Sequence, residues 1–338
     1  VTTHLLVGNP TAQSGKNAAR IDRALAELRG AGVACELMPT LPDGKTIGAV
    51  RDALRGGRFN CAIAMGGDGT FREVAAGILD SGTADAVSLA MLPTGTANDQ
   101  GRSFGVFAGD EELAHNVAVI AAANETRLDA GRLRAVESGA TSWFFDSAGW
   151  GLSARVLAAR NEDREVVEGV PGLRAVYRDQ LVYAGAFLRT FLESYVTDDT
   201  FTVAAEVDGQ PMTIEGVTDL IVKGTRVYGG AWVFDRTALH DDGAFELLPF
   251  RGKLDWTSKA IVGLDGNPVT DEMLAAVGVE PSKPIRASRF DLRFEPRSPA
   301  AQIDGEELAA APHVRIDVVA RALRLIVPKE AASSELPR

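Results

Sequence analysis

The chain has 338 residues, long enough for two domains, and its 46% apolar and 24% charged residues are ordinary for a folded globular protein. A formal charge of −11 excludes non-specific attraction to polyanions, so no nucleic-acid partner is expected. Cys35 and Cys61 are the only cysteines and form neither a disulfide framework nor a CxxC metal site, so both are expected as buried free thiols.

The residues from Val1 to Gly8 lack the basic start and long apolar core of a secretory signal. No stretch reaches the roughly eighteen apolar residues of a spanning helix. The expectation is a cytoplasmic protein.

In chain order, HLLVGN (4–9) predicts a strand and AARIDRALAELRGAG (18–32) an amphipathic helix ending in glycines. VACELM (33–38) is the next strand, followed by a helix through Val50 and Leu54. CAIAM (61–65) and VSLAML (87–92) are apolar runs separated by the helix FREVAAGIL (71–79). Such alternation indicates a Rossmann-like α/β domain, a parallel sheet covered on both faces, with ligands bound beyond the strands' carboxyl ends.

From about residue 126 the pattern changes to strand-like segments separated by turns: TRLDAGRLRAV, TSWFFDSAG, TFTVAAEVDG, VTDLIVKG, GAFELLPF, SRFDLRFEP, AAQIDGEEL, HVRIDVV and ALRLIVP. Helices are expected near 150–160, 171–195 and 256–263. The expected division is a nucleotide-binding domain over 1–130 and a mostly antiparallel β domain over 131–312, with a cleft between them. The strands near 313–328 are expected to return to the first domain.

Three glycine-bearing loops carry the chemistry. GGDGT (66–70) follows a strand and opens a helix, where glycines let main-chain N–H groups approach a phosphate. Thr70 and Glu73 also read as a capping box. An anion beside Asp68 needs a mediating cation, which points to a metal–nucleotide site. LPTGTANDQGRSFG (92–105) follows the next strand and brings Thr96, Asn98 and Asp99 to the same edge. GNPTAQSGKN (8–17) is like a Walker loop but has Pro10 where the first glycine belongs and Asn17 where Ser or Thr belongs. Lys16 still stands where it could reach a phosphate. GRSFG (101–105) matches a hydrolase nucleophile elbow, but Ser103 lies well past its strand, so the match is attributed to chance.

GGDGT, PTGTAND, the earlier NP…SGK, and the later HDDG (240–243) and DGE (304–306) together resemble the diacylglycerol kinase catalytic family, soluble bacterial lipid-kinase type, with sphingosine and ceramide kinases as cousins. The resemblance implies ATP as donor, held between the domains by Asn9, Pro10, Thr11, Ser14, Gly15, Lys16, Thr40, Gly66, Gly67, Asp68, Gly69, Thr70, Phe71, Arg72 and Thr96. It implies a general base in Asp304, with Glu306 as rival. It implies Mg²⁺ bound by Asp242 and the main-chain oxygens near Leu239 and Ala244. Asp68, Asp99, Asp129 and Asp241 would form an acidic network linking that ion to the active site.

The sequence departs from the family at three places: Gln100 replaces an aromatic or aliphatic residue, and Asp146 and Lys223 each replace Asn. These departures bear on the acceptor. The segment RAVYRDQLVYAGAFLRTFLESYV (174–196) places Val176, Tyr177, Leu181, Ala184, Leu188, Phe191 and Tyr195 at helical spacing beside Arg174, Arg178 and Arg189. It reads as a core helix or as the lining of a lipid cleft.

The activity expected is phosphoryl transfer from ATP to a lipid hydroxyl, most naturally diacylglycerol, taken from a membrane by a protein peripheral to it. A homodimer is left open. The competing readings are an NAD-kinase-like enzyme with a soluble acceptor, and a non-catalytic lipid or nucleotide sensor on the same fold.

Overall fold

In the computed structural model the described residues are 3–10, 16–95, 98–158, 200–229, 232–235, 237–252, 255 and 284–332. They fall into two compact units. The first comprises Val1–Ala130, Leu239–Gly243 and Val319–Arg338, the second Gly131–Ala238 and Ala244–Val318.

The first unit is built on parallel strands β1 (Thr3–Gly8), β2 (Cys35–Pro39), β3 (Phe59–Gly66) and β4 (Ser88–Pro93), in the order β4-β3-β1-β2. Their connections are α1 (Lys16–Gly30), α2 (Lys45–Arg55) and α3 (Asp68–Ser81). After β4 come α4 (Asp99–Ser103) and α5 (Leu113–Ala122), and then β5 (Glu125–Ala135) begins.

The apolar periodicity explains the layers. Ile21, Ala24 and Leu28 of α1 pack with Val117 and Ile120 of α5 against Leu6, Ile63, Met65, Ala90 and Leu92. The alternate residues Leu5, Val7, Ala62, Ala64 and Leu89 point to the other face. On that side α3 approaches α2 so closely at Gly77 that a methyl there would stand 2.7 Å from Val50. Burying one Leu or Ile side chain contributes about 1.5–3 kcal/mol, so this double-sided burial is what holds the sheet. α1 stops where Gly32, at φ 80°, lets the Val33 N–H reach the Leu28 carbonyl.

The second unit is antiparallel, with strands β6 (Thr141–Phe144), β7 (Ser147–Gly151), β8 (Phe201–Val207), β9 (Gln210–Lys223), β10 (Phe245–Arg251), β11 (Ile285–Ala287), β12 (Arg289–Glu295), β13 (Ala301–Ile303) and β14 (Glu306–Leu308). The first part of β15 (His313–Ile326) completes the order β14-β13-β7-β9-β8-β12-β15, and β10 and β11 extend from β9. Phe144, Trp150, Val203, Leu220, Val222, Phe245, Phe290, Leu292 and Ile316 form its core. The latter part of β15 lies beside β4 in the first unit, with Arg324 opposite Ser88.

Several sequence expectations are corrected. HVRIDVV and ALRLIVP are one strand, β15, interrupted at Arg321, which takes φ 53°. TSWFFDSAG divides into β6 and β7 because the amides of Phe145 to Ser147 turn toward a side-chain acceptor. The loop after β4 contains α4, and Ser103 ends that helix rather than standing on a strand–helix elbow. Cys61 is buried, whereas Cys35 is only partly so. A helix covers 152–158. The helices expected at 171–195 and 256–263, and with them the lipid-lining segment 174–196, lie outside the described residues.

Candidate functional site

The parallel strands of the first unit end level with one another. Gly8 pairs with Pro39 on one side and Met65 on the other, and Gly66 pairs with Pro93. Four loops therefore leave one sheet edge, and main-chain bonds tie them together. The Thr40 N–H donates to the Gly8 carbonyl at 3.0 Å, and the Thr94 N–H to the Gly66 carbonyl at 2.8 Å. The Asn17 side-chain amide donates to the Asn9 carbonyl at 2.5 Å, fixing the start of α1 to the end of β1.

The glycines in these loops are required by close approach. A methyl on Gly66 would lie 2.2 Å from Thr70 Oγ1, and one on Gly95 would lie 2.7 Å from Gly67 Cα. Asn98, in the left-handed region at φ 51°, clamps the second loop: its Oδ1 accepts the Gly95 N–H at 3.1 Å and its Nδ2 donates to the Gly95 carbonyl. α3 starts at Asp68 with Gly67 as its N-cap, so the expected capping box is absent. Thr70 sits inside the first turn instead, packed on Gly66. The start of α3, with its main-chain N–H groups and positive dipole end, thus lies in the GGDGT loop.

Asp68 Oδ1 accepts the Gln100 N–H at 3.4 Å, which places α4 beside the GGDGT turn. Phe71 is buried and Arg72 half-buried in α3; Asn9, Pro10, Thr40, Gly66, Gly67, Asp68, Gly69 and Thr70 are likewise half-buried. Thr11, Ser14, Gly15 and Thr96 lie outside the described residues, as does the side chain of Lys16, the first residue of α1.

The acidic residues lie on two stretches of the first unit, Asp68 and Asp99 at the glycine loops and Asp129 and Asp241 at the turn beside β5. Asp99 is buried at the start of α4, near Asp68. Asp129 on β5 accepts the N–H groups of Gly243 and Arg321, each at 2.6 Å. Burial raises the Asp129 pKa, opposed by those two donors. Asp241 pairs with the Arg321 guanidinium at 3.1 Å. His240 fixes the same turn: its carbonyl accepts the Asp129 N–H, and its ring sits edge-on to Phe104. Arg321 and His240 were not singled out by sequence reasoning. The one available signal for Arg321 was the break in alternation within VVARALRL.

Gly243 takes φ 77°, and a methyl added there would stand 3.2 Å from Ala320 Cβ. Asp242 is exposed and Leu239 half-buried in the turn, and Ala244 is the next residue after it. No group of three His, Cys, Asp or Glu side chains placed to hold a metal ion occurs among the described residues. One exposed carboxylate with flanking main-chain oxygens is a hard-oxygen donor set, suited to a Mg²⁺ ion that keeps several waters.

In the second unit Asp304 occupies the turn between β13 and β14 at φ 46° and is 4% exposed. Its carboxylate accepts N–H groups from Phe145 (3.0 Å), Asp146 (2.8 Å) and Ser147 (3.0 Å), and its own N–H donates to the Ser147 carbonyl. Glu306, two residues on, is exposed. Asp304 is thus a buried carboxyl group fixed by main-chain donors, and Glu306 an exposed one.

Residues 3–133 match the diacylglycerol kinase catalytic domain. Beyond it, the chain is 28% identical to a "Probable lipid kinase YegS-like" of Pseudomonas putida over 85% of this chain and 91% of that one. It is 36% identical to a protein of the same description from Pseudomonas aeruginosa, over 43% of this chain and 44% of that one. A crystal structure of a diacylglycerol kinase from Bacillus anthracis superposes with a TM-score of 0.70 over 97% of this chain and 98% of its own, at 20% identity. That likeness shows the fold: an α/β part with parallel strands and a mostly antiparallel β part. Both GGDGT and PTGTAND lie inside the matched residues 3–133, whereas HDDG and DGE lie beyond them.

Proposed function

We propose that this protein is an ATP-dependent lipid kinase that moves the γ-phosphoryl group to a lipid hydroxyl, with diacylglycerol as acceptor and phosphatidic acid as product. The observation that carries this reading is the contact of Gly67 with Gly95 at the level carboxyl ends of β3 and β4. It joins two glycine loops into one main-chain surface beside the start of α3, suited to a polyphosphate. The relatives described as probable lipid kinases support the acceptor class.

Phosphoryl transfer depends on positioning and charge neutralisation more than on covalent help. Main-chain N–H groups of the GGDGT turn and the Lys16 ammonium would hold the phosphates. Mg²⁺ held by Asp242 with the Leu239 and Ala244 oxygens would supply a fixed positive charge for the acidic residues to organise around. Asp304, or Glu306 beside it, would accept the hydroxyl proton as the new P–O bond forms. A membrane-derived acceptor makes the protein peripheral to a lipid surface, and no described helix is long and apolar enough to cross one.

The test is incubation with γ-labelled ATP, Mg²⁺ and mixed micelles of diacylglycerol, monoacylglycerol, phosphatidylglycerol, sphingoid base or ceramide, with products identified by mass. Labelled phosphatidic acid that disappears with Asp68→Ala is the expected result. Label transferred only to a soluble acceptor, or Mg-ATP binding without turnover on any lipid, would overturn the reading.

A further inference from the structure

Two ionisable residues are enclosed in the second unit next to Asp304. Lys223, at the end of β9, is 0% exposed, and Asp146, between β6 and β7, is 3% exposed. The Lys223 Nζ donates to the carbonyls of Thr225 and Arg226, which draws the chain after β9 into a tight turn. The Thr225 hydroxyl from that turn donates to Asp146 Oδ1, and the Ser147 hydroxyl donates to Asp146 Oδ2 at 3.0 Å. The main chain repeats the link, because the Gly224 N–H donates to the Asp146 carbonyl at 2.9 Å. In register, Lys223 stands between Ser147 on β7 and the buried Glu246 on β10, whose carboxylate faces Arg286 Nε at 3.9 Å.

A buried cation and carboxylate add little net stability over a well-packed apolar pair, because both must be dehydrated. Their contribution is directional, since removing either leaves the other buried without its partner. The residues that this pair orients, Phe145 to Ser147, are the ones whose N–H groups hold the Asp304 carboxylate. We propose that Lys223 is a positioning residue for Asp304, acting through Asp146: the two opposite charges lock the 145–147 corner so that its amides converge on that carboxylate. The proposal deepens the kinase reading and rests on it for its kinetic arm only.

The experiment compares Lys223→Met, Asp146→Asn and the double variant. In Lys223→Met, amide hydrogen exchange at Phe145, Asp146 and Ser147 should accelerate about tenfold while Phe290 and Leu292 on β12 hold their rates. In the lipid-phosphorylation assay, kcat should fall about tenfold with the KM for ATP unchanged. Adding Asp146→Asn removes the orphaned carboxylate and should return both readouts to within about threefold of the starting protein. Unchanged exchange at the three amides, or independent effects that multiply in the double variant, would overturn the proposal. Should Lys223→Met not fold, a folded double variant with slow exchange at the corner supports it and an unfolded one overturns it. Absence of lipid kinase activity in the unaltered protein would remove the functional reading while the exchange arm still decides this one.

Discussion

Gly67 and Gly95 meet main chain to main chain: a methyl added to Gly95 would stand 2.7 Å from Gly67 Cα, whereas one added to Gly67 would stand an ordinary 3.4 Å from Gly95 Cα. The pair is asymmetric, and so is its expected response to substitution. Gly95→Ala must push the second loop off the first, at a cost of about 1–3 kcal/mol in chemical denaturation. If the two loops hold the phosphates as proposed, ATP affinity should weaken by about tenfold as their joint surface opens. Gly67→Ala should cost less than about 1 kcal/mol by the same measurement. Equal effects at the two positions would show that the contact does not shape the site.

Asp304 and Glu306 can be separated by measuring stability and turnover on the same variants. Asp304→Asn places an NH₂ group or a single oxygen before three main-chain donors, and charge-assisted bonds of this kind contribute about 1.5–3 kcal/mol each. Denaturation should therefore register a loss of about 2–3 kcal/mol together with lost turnover. Glu306→Gln, at an exposed position, should leave stability within about 0.5 kcal/mol. If the folded Asp304→Asn protein keeps its turnover while Glu306→Gln loses it, the proton acceptor is Glu306 and Asp304 serves only the corner.

Gln100 is 2% exposed, and neither polar atom of its side-chain amide has a hydrogen-bond partner among the described residues. Burying an unsatisfied amide costs about 1–3 kcal/mol, so Gln100→Leu should raise stability by about that amount. Thermal denaturation measures it directly. A gain in stability with a loss of turnover would mark Gln100 as a group reserved for substrate, whereas a loss of stability would contradict the unsatisfied burial.

Acid sensitivity should arise partly from Asp291 on β12. Burial pushes its carboxyl pKa up, but bonds from Arg315 Nε and the His313 ring, both at 2.6 Å, outweigh this and hold it below the ordinary 3.8. A depressed folded pKa means that the stabilisation is present above 3.8 and is lost as pH falls through the lower folded value. Asp291→Asn should cost about 0.5–1 kcal/mol at neutral pH, and its stability should fall less steeply below that point. Parallel acid-unfolding curves for the two proteins would refute the assignment.

The parallel layer was legible because strands buried on both faces leave continuous apolar runs, and Val50 and Leu54 or Ile21 and Leu28 mark helical spacing within a few residues of each other. GGDGT was legible for a similar reason: three glycines and an acid at a strand end exceed what a turn needs. α4 was not, since Asp99–Ser103 is too short for its periodicity to stand out from a polar loop. Asp146 and Lys223 were each visible as departures from a family pattern, yet their union depends on β7 and β9 being neighbours, which no local pattern records. Arg321 holds Asp129 mainly through its main chain, and such a role leaves no trace in residue type.

Strand β4 owes one of its two neighbours to the last stretch of β15, where Arg324 and Leu325 lie opposite Ser88 and Leu89. A shortened gene ending at residue 133, where the family match stops, would encode the glycine loops but leave this wholly buried strand with a bare flank. Asp129 would also lose both the Gly243 and Arg321 amides. Recombinant production of that fragment should yield aggregates rather than a minimal nucleotide-binding module, because unpaired apolar strand edges recruit one another.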